Sequence, residues 1–276
     1  MMRPAVVGHV EWIEFVHVAH VPAPGEIVHA DDRWETAGGG GAIAAVQLAR
    51  LAGSSILFTA LGDDERGHRA RDELTALGVR VECTFRPEPQ RRCFVYIDDE
   101  KERTITVLGD RMGANGSDPL TWDELAGVDG LYFTAGDDEA LRRARAAGAL
   151  VATSRVFAQL VRAKVPIDAV VGSARDADER YVPGRMEPEP PLVVMTEGGR
   201  GGWWERAGEP RRYFDAARPP GEKVDAYGCG DSFAGGLAYG LGVGMDAPDA
   251  VDLAARCGAA CMTGRGPYEG QLRTAR

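Results

Sequence analysis

The sequence predicts an α/β fold with a mostly parallel central sheet and a small β-rich lid. Apolar runs of strand length alternate with helical patterns along most of the chain. Two stretches interrupt that alternation, one without a helical period and one rich in β-forming residues, and a turn broken by glycines leads into an apolar helical stretch at residues 225–238. These observations indicate crossover helices around a parallel core, a lid that projects from it, and one helix start suited to ligand binding.

The alternation covers both halves of the chain. Residues 5–7, 55–59 and 79–83 are short apolar runs that predict strands, and residues 42–51 and 65–77 have helical periodicity. The pattern continues with a strand, a helix and a strand at 131–134, 139–147 and 150–152. Because parallel strands need long crossover connections, this order predicts a parallel sheet.

Two stretches depart from this order. Residues 16–29 have no helical period and contain Pro22 and Pro24, whereas residues 93–97 and 103–107 are β-rich and flank a charged turn. The second pair predicts a β-hairpin. A hairpin cannot join a parallel core without breaking its order. We therefore assign both stretches to a lid, an element that can exclude water from a binding site.

We therefore predict a single domain over residues 1–276, with lid segments at about 12–35 and 90–111. Residues 183–191 contain four prolines and predict a surface connection without helix.

The composition excludes several classes of protein. With 32 basic and 42 acidic residues the net charge is −10, which argues against nucleic acid or an anionic membrane as a partner. The five cysteines form no CxxC pair, and no apolar stretch approaches the ~20 residues of a membrane helix. We expect a cytoplasmic protein with reduced thiols, in which Cys257 and Cys261 are core residues.

Residues 225–238 carry the strongest chemical signal. Gly228, Cys229 and Gly230 are small, so the backbone N–H groups of a helix start can converge on one anion there. Asp231 follows directly, at the place where a carboxylate can take a proton from an attacking hydroxyl group. The alternative is that Asp231 only caps a turn before a helix.

The segment Asp225-Ala-Tyr-Gly-Cys-Gly-Asp231 resembles the Asp-Thr-x-Gly-Ala-Gly-Asp signature of the PfkB carbohydrate kinases. The resemblance implies a ribokinase-like three-layer αβα sandwich that uses ATP and Mg²⁺, with a monovalent cation such as K⁺ as a further candidate. It also implies that Gly228, Cys229 and Gly230 form an anion hole, that Asp231 is the catalytic base, and that Asp225 supports the cofactor-binding region.

Four further segments resemble the family in the same order, at 38–42, 61–67, 102–105 and 195–201. By this resemblance the substrate side includes Gly38, Gly39, Gly40 and the lid residue Arg103. The phosphates of ATP would be contacted by Thr196, Gly198, Gly199, Arg200 and Gly201. The adenine would lie between this turn and a helix predicted at 251–263.

The sugar-contacting positions depart from the family pattern. Counted from Gly8, the family's Asn and Asp places hold Glu11 and Ile13, and its later Asn place holds Ile43. We place Glu11 and Ile43 among the substrate-binding residues, although Glu11 can equally anchor the lid. A hydroxyl group left unpaired against Ile43 would cost about 1–3 kcal/mol. The acceptor is therefore either less polar than ribose or held differently.

The metal-binding positions also differ. The family's Asn-x-x-Glu corresponds to Ser173 and Asp176, and we place Mg²⁺ there because its waters can absorb the shorter side chain. The histidines at 17, 20 and 29 have no spacing typical of a zinc site.

We predict ATP-dependent phosphoryl transfer to a hydroxyl group of a small sugar or sugar-like molecule. A nucleoside or ring-alcohol kinase and a non-catalytic nucleotide- or sugar-binding homologue remain alternatives. A dinucleotide-binding dehydrogenase is disfavoured, because no GxGxxG follows the first strand. Open edges of lid strands suggest a homodimer formed through the lid.

Overall fold

The structure is a computed structural model that describes residues 2–274. It contains a nine-stranded and a four-stranded sheet. In chain order the strands are β1 (Pro4–Val7), β2 (Glu11–His17), β3 (Asp32–Gly38), β4 (Ser55–Gly62), β5 (Val79–Arg86), β6 (Arg92–Ile97), β7 (Arg103–Leu108), β8 (Gly130–Phe133), β9 (Ala149–Thr153), β10 (Ala169–Ser173), β11 (Leu192–Thr196), β12 (Gly202–Arg206) and β13 (Arg212–Phe214). The helices are α1 (Gly40–Ala52), α2 (Glu65–Ala76), α3 (Asp138–Ala144), α4 (Phe157–Ala163), α5 (Cys229–Gly242) and α6 (Ala247–Cys261).

The large sheet is mostly parallel, in the order β13-β12-β11-β10-β9-β8-β1-β4-β5. Among the described strands of this sheet, β12 is antiparallel to both of its neighbours, β11 and β13, and the other pairs are parallel. Alternate side chains of β1 enter different cores: Val6 packs with the residues of α1, α5 and α6, whereas Ala5 and Val7 pack with those of α3. Because successive side chains of a strand point to opposite faces, the sheet has a helical layer on each face. The predicted three-layer αβα fold is confirmed.

The small sheet has the order β3-β2-β6-β7, and the predicted hairpin is its β6–β7 pair. Residues 16–29 contain no helix, in line with their sequence; most of the stretch is loop, and the strands of this part of the small sheet lie on either side, in β2 and β3. Pro22 and Pro24 lack the N–H group that a strand ladder requires. Pairing also extends to Glu11, so the small sheet begins directly after β1.

The predicted helices match closely, with differences at their ends. The last helix begins at Ala247, earlier than residue 251, because the Asp246 side chain accepts the Asp249 N–H at 3.1 Å and caps the first turn. The predicted helix at 139–147 ends at Ala144. Cys257 and Cys261 are fully buried, as predicted. Between residues 2 and 274, no helix combines the length and the apolar character needed to cross a membrane.

Candidate active site

The site lies where β1, β8 and α1 converge at the carboxyl edge of the large sheet. Gly8 follows β1, and a Cβ atom at that position would stand 2.5 Å from Thr134 Cγ2 and 2.7 Å from Gly41 Cα. Only glycine permits this close approach. The N-terminus of α1 is thereby held against the ends of two neighbouring strands, which is where open parallel sheets bind ligands.

The start of α5 forms the second side of the site. Gly228 has φ of +81°, a conformation that side chains disfavour, and it precedes the helix. The first N–H bonded within this turn is that of Ser232, which donates to Gly228 O at 2.9 Å, so the N–H groups of 229–231 precede the first intrahelical bond. Gly230 is exposed, and no atom lies within 4 Å of where its Cβ would be. Within residues 2–274, the N–H groups of 229–231 have no partner, and at Gly230 they face open space, as an anion site requires.

Asp231 lies between the starts of the two helices and remains partly exposed. Its Oδ1 would be 2.8 Å from a Cβ atom added at Gly40, the first residue of α1. The pKa of Asp231 is raised to about 6, first by burial and then by the negative charge of Glu179, against the lowering effect of Arg103. A carboxylate with a pKa near neutrality is a stronger base than an ordinary aspartate.

His9 and Glu11 lie between the main sheet and the small sheet. His9 is buried and accepts the Gly40 N–H on Nε2 at 3.4 Å. Glu11 is also buried; its two carboxylate oxygens accept from Arg91 Nε at 2.6 Å and Cys93 Sγ at 2.9 Å. Of the two roles considered for Glu11, these contacts match the anchoring of the small sheet.

A cluster of one arginine and two carboxylates lies beside Asp231. Arg155 binds Asp176 at 2.6 Å and Glu179 at 2.5 Å. Glu179 also accepts the Ser173 N–H at 2.8 Å, which ties the end of β10 to this turn. The N–H of Asp178 and the Arg155 guanidinium lower the pKa of Asp176. Arg155 therefore pairs with both carboxylates next to the carboxyl ends of β9 and β10.

These residues fit a magnesium ion only as outer contacts. Between residues 2 and 274 no group of three histidine, cysteine or acidic side chains is arranged to hold a metal. Mg²⁺ in kinases takes one or two carboxylates, with phosphate oxygens and waters completing its shell. Asp176 and Glu179 can supply those carboxylates, whereas the Ser173 N–H is bonded to Glu179.

The turn after β11 contains the residues predicted to contact ATP. Thr196 ends β11, and its hydroxyl donates to Gly172 O at 3.2 Å. Gly198 and Gly201 have φ of +65° and +83°, which makes the turn tight. Arg200 is 74% exposed and lies 3.5 Å from Glu197, so its guanidinium is free to move onto an anionic ligand. The Arg175 guanidinium also approaches Gly198, 3.0 Å from where its Cβ would be.

Asp225 has a local structural role. Its two oxygens accept the N–H groups of Tyr227 at 2.8 Å and Gly266 at 2.7 Å, and the side chain is buried. The lid contacts this same segment, because Arg103 donates to Ala226 O and Lys223 pairs with Glu102 at 2.7 Å. The hairpin is thereby held over the approach to α5.

Apolar side chains stand where a sugar site is expected to have hydrogen-bonding side chains. Ile43 is fully buried, and its side chain would lie 3.1 Å from a Cβ atom at Gly228. Ile13 is also fully buried and packs against Gly38. A ligand has no access to Ile43 in this conformation, although it was predicted to be a contact. Trp12 and Phe15 are core residues too, while Trp34 is partly exposed and stacks on Phe15 at 4.9 Å.

Sequence reasoning missed four polar residues of the site. Glu179 and Arg155 pair with residues distant in the chain, His9 packs under α1, and Arg175 lies beside the turn at Gly198. The sequence contained one local signal for Glu179. It follows Asp176 by three residues, and residues three apart lie on the same side of a helical turn, so the two carboxylates could have been predicted to lie together.

Comparisons with known proteins agree with this geometry. A family model described as pfkB family carbohydrate kinase matches residues 1–137 and 168–275. A fructokinase of Vibrio alginolyticus is 25% identical over 276 residues, covering 83% of this chain and 86% of that protein. An ATP-dependent ribose-1-phosphate kinase of Halopiger xanaduensis is 25% identical over 280 residues, covering 94% and 91%. The crystal structure of a ribokinase from Thermotoga maritima superposes with a TM-score of 0.79 at 19% identity, covering 99% of this chain and 97% of that one.

Proposed function

Since the chain belongs to the pfkB family of carbohydrate kinases, we propose that it transfers the γ-phosphoryl group of ATP to a hydroxyl group of a small sugar or sugar-like acceptor. One observation carries the proposal: a partly exposed carboxylate, Asp231, stands at the head of α5 beside unpaired N–H groups. This pairing of a base with an anion site is what in-line phosphoryl transfer requires.

In this mechanism Asp231 accepts the proton of the acceptor hydroxyl as the oxygen attacks phosphorus. The N–H groups at Gly228, Cys229 and Gly230 stabilise negative charge on the migrating phosphoryl oxygens. Because the pKa of Asp231 is about 6, the carboxylate is ionised at neutral pH and is still basic enough to take part. The proton leaves to solvent when the product departs.

The nucleotide is proposed to bind between the turn at 198–202 and α6. Thr196, Gly198, Gly199 and Gly201 line the turn, and Arg200 supplies a positive charge for the phosphates. Asp225 acts indirectly, by fixing the loop that leads into α5. Mg²⁺, when bound with ATP, offsets phosphate charge, and Asp176 and Glu179 would hold its shell; a monovalent cation is a further candidate cofactor.

The small sheet is proposed to act as the lid of a single-domain enzyme. Arg103 and Glu102 already bind the segment before α5, so closure would place the hairpin over the acceptor and exclude water. On β7, an edge strand, Ile105, Val107 and Leu108 are 41–45% exposed and offer a surface for pairing with a second copy.

A second candidate is a kinase for a less hydroxylated ring alcohol or a nucleoside. The observation that favours it is the apolar filling of the pocket by Ile13 and Ile43, which leaves fewer partners for sugar hydroxyl groups. The intact Asp231 site argues against a non-catalytic binding protein.

The test is acceptor-dependent ADP release. Purified protein with ATP and Mg²⁺ is assayed against sugars, sugar phosphates, sugar acids, nucleosides and cyclitols, with ATP alone as the control. We expect at least one carbohydrate to raise ADP release above the control and to appear as its phosphate ester by mass spectrometry. A complete panel without such a product would contradict the proposed function.

A further inference from the structure

Two cysteines lie where the start of α5 meets the end of α6. Cys229 is the first residue of α5 and is partly exposed, whereas Cys261 is the last residue of α6 and is fully buried. A hydrogen bond joins the two thiols. The proposed mechanism uses the backbone N–H of Cys229 and neither thiol.

Contacts on both sides of the thiols hold the two segments together. The Cys261 S–H donates to Tyr227 O at 3.4 Å, two residues before Cys229. Cys229 O in turn would lie 3.1 Å from a Cβ atom at Gly258, three residues before Cys261. Two further contacts join the same segments: Val224 N–H donates to Met262 O at 2.8 Å, and Pro267 Cβ would lie 3.1 Å from a Cβ atom at Gly228. The start of α5 is thus fixed against residues 258–267, with both thiols at the contact.

The two thiols differ in reactivity. The hydrogen bond from Cys261 is the largest influence on the pKa of Cys229 and lowers it, and the charge of Arg103 lowers it too, against burial. The same hydrogen bond and burial raise the pKa of Cys261. Because oxidants react with the thiolate, and because Cys229 is the more exposed of the two, Cys229 is the thiol that reacts first.

Resting on the proposed function for its effect on turnover, we propose that Cys229 and Cys261 form a reversible disulfide that stops phosphoryl transfer when the protein meets a peroxide. The Cys229 thiolate attacks one oxygen of hydrogen peroxide, the O–O bond breaks, and the released hydroxide takes a proton to become water. The sulfenic acid formed on Cys229 is then attacked by the Cys261 sulfur, and its oxygen leaves as a second water with the thiol proton. Two thiols and one peroxide thus give one disulfide and two waters, and a dithiol reductant reverses the change by exchange.

The disulfide would act on the anion site through the backbone of α5. An S–S bond is about 2.05 Å long, much shorter than a hydrogen bond between thiols. Its formation would draw the start of α5 toward α6 and move the Cys229 N–H away from the phosphoryl oxygens. Since the loss of one such donor typically lowers kcat by about 10²–10³, we expect turnover to fall at least tenfold.

The bond itself is tested by mass, without any assay of activity. Reduced protein is treated with hydrogen peroxide, and the remaining thiols are alkylated under denaturing conditions. We expect the number of alkylated thiols to fall from five to three, because two of the five enter one disulfide. Trypsin leaves Cys257 and Cys261 together on the peptide 257–265, so the cross-link is mapped both in the wild type, by fragmentation, and in Cys257→Ala.

The effect on turnover is tested with the same samples. Peroxide should lower the ADP release of the wild type at least tenfold, and dithiothreitol should restore it. In Cys261→Ala no internal disulfide can form at Cys229, so excess peroxide should carry Cys229 to the sulfinic acid, and dithiothreitol should no longer restore turnover. Cys83→Ser is the matched control: it removes a partly exposed thiol of β5 and should respond to peroxide as the wild type does.

Five alkylated thiols after peroxide treatment, or a disulfide that does not include both Cys229 and Cys261, would overturn this inference. A Cys229–Cys261 disulfide in a protein with undiminished turnover would overturn it as well. Absence of kinase activity from the fully reduced protein, measured before any oxidation, would instead contradict the proposed function.

Discussion

Replacing Glu179 with Gln tests which charge sets the pKa of Asp231. The negative charge of Glu179 is the largest contribution after burial to the raised pKa of Asp231. Asp231 must be ionised to accept a proton, so activity falls as the pH drops through about 6. Without the charge at 179 the carboxyl group ionises more readily, and the acid limb of the kcat/KM profile should move to lower pH.

The size of this change follows from Coulomb's law. At an effective dielectric constant of ~20, removing a unit charge about 10 Å away lowers a pKa by about one unit. Glu179 also pairs with Arg155, whose positive charge lowers the pKa of Asp231 and is left unopposed when the charge at 179 is removed. We therefore expect the midpoint of the acid limb to fall by about one pH unit.

The assay is the pH dependence of kcat/KM for the best acceptor, measured from pH 4.5 to about 8.5, which brackets the expected midpoint. Glu187→Gln is the matched control, because it removes the same charge from an 84% exposed side chain paired with Lys164. The control should keep the wild-type midpoint. An unmoved or raised midpoint in Glu179→Gln would refute the view that Glu179 holds the pKa of Asp231 up.

Three further predictions concern stability and the nucleotide. Asp231→Asn should raise the free energy of unfolding in urea by about 1–2 kcal/mol at pH 8, because the carboxyl group, whose folded pKa is above its ordinary value, is then ionised in a buried setting. The gain should shrink toward pH 5, where the wild-type group is protonated, and a gain that is constant with pH would contradict this reasoning. Ile43→Asn should lower the free energy of unfolding by about 2–4 kcal/mol without improving the KM of any sugar, whereas Ile43→Val should cost only about 1 kcal/mol. A sugar KM improved in Ile43→Asn would show that position 43 reaches the ligand. Arg200→Gln should raise the KM for ATP by about three- to tenfold and leave the acceptor KM unchanged, and an unchanged KM for ATP would remove Arg200 from the nucleotide site.

Features formed by residues close together in the chain were predictable from the sequence. Asp231 follows Gly228 by three positions, so the order of small residue, helix start and carboxylate fixes their relative placement. The β6–β7 hairpin is likewise local, since its charged turn connects adjacent strands. Such features need no knowledge of the sheet order.

The parts that depend on strand order were not predictable. Arg155 reaches Asp176 and Glu179 only because β9 and β10 lie side by side, which brings the segments after both strands together. The low pKa of His9 comes first from burial and then from arginines at 91, 111 and 155, which three separate chain segments supply. The position of Ile43, sealed behind Gly228, likewise depends on the packing of α1 against α5.

The central claim is that Asp231 removes the proton while the head of α5 holds the phosphoryl group. The most direct test is a single-turnover measurement of phosphoryl transfer in Asp231→Asn with the best acceptor, alongside calorimetric binding of ATP. The account predicts a rate lower by about 10²–10⁴ with unchanged ATP affinity. A transfer rate equal to that of the wild type would contradict it.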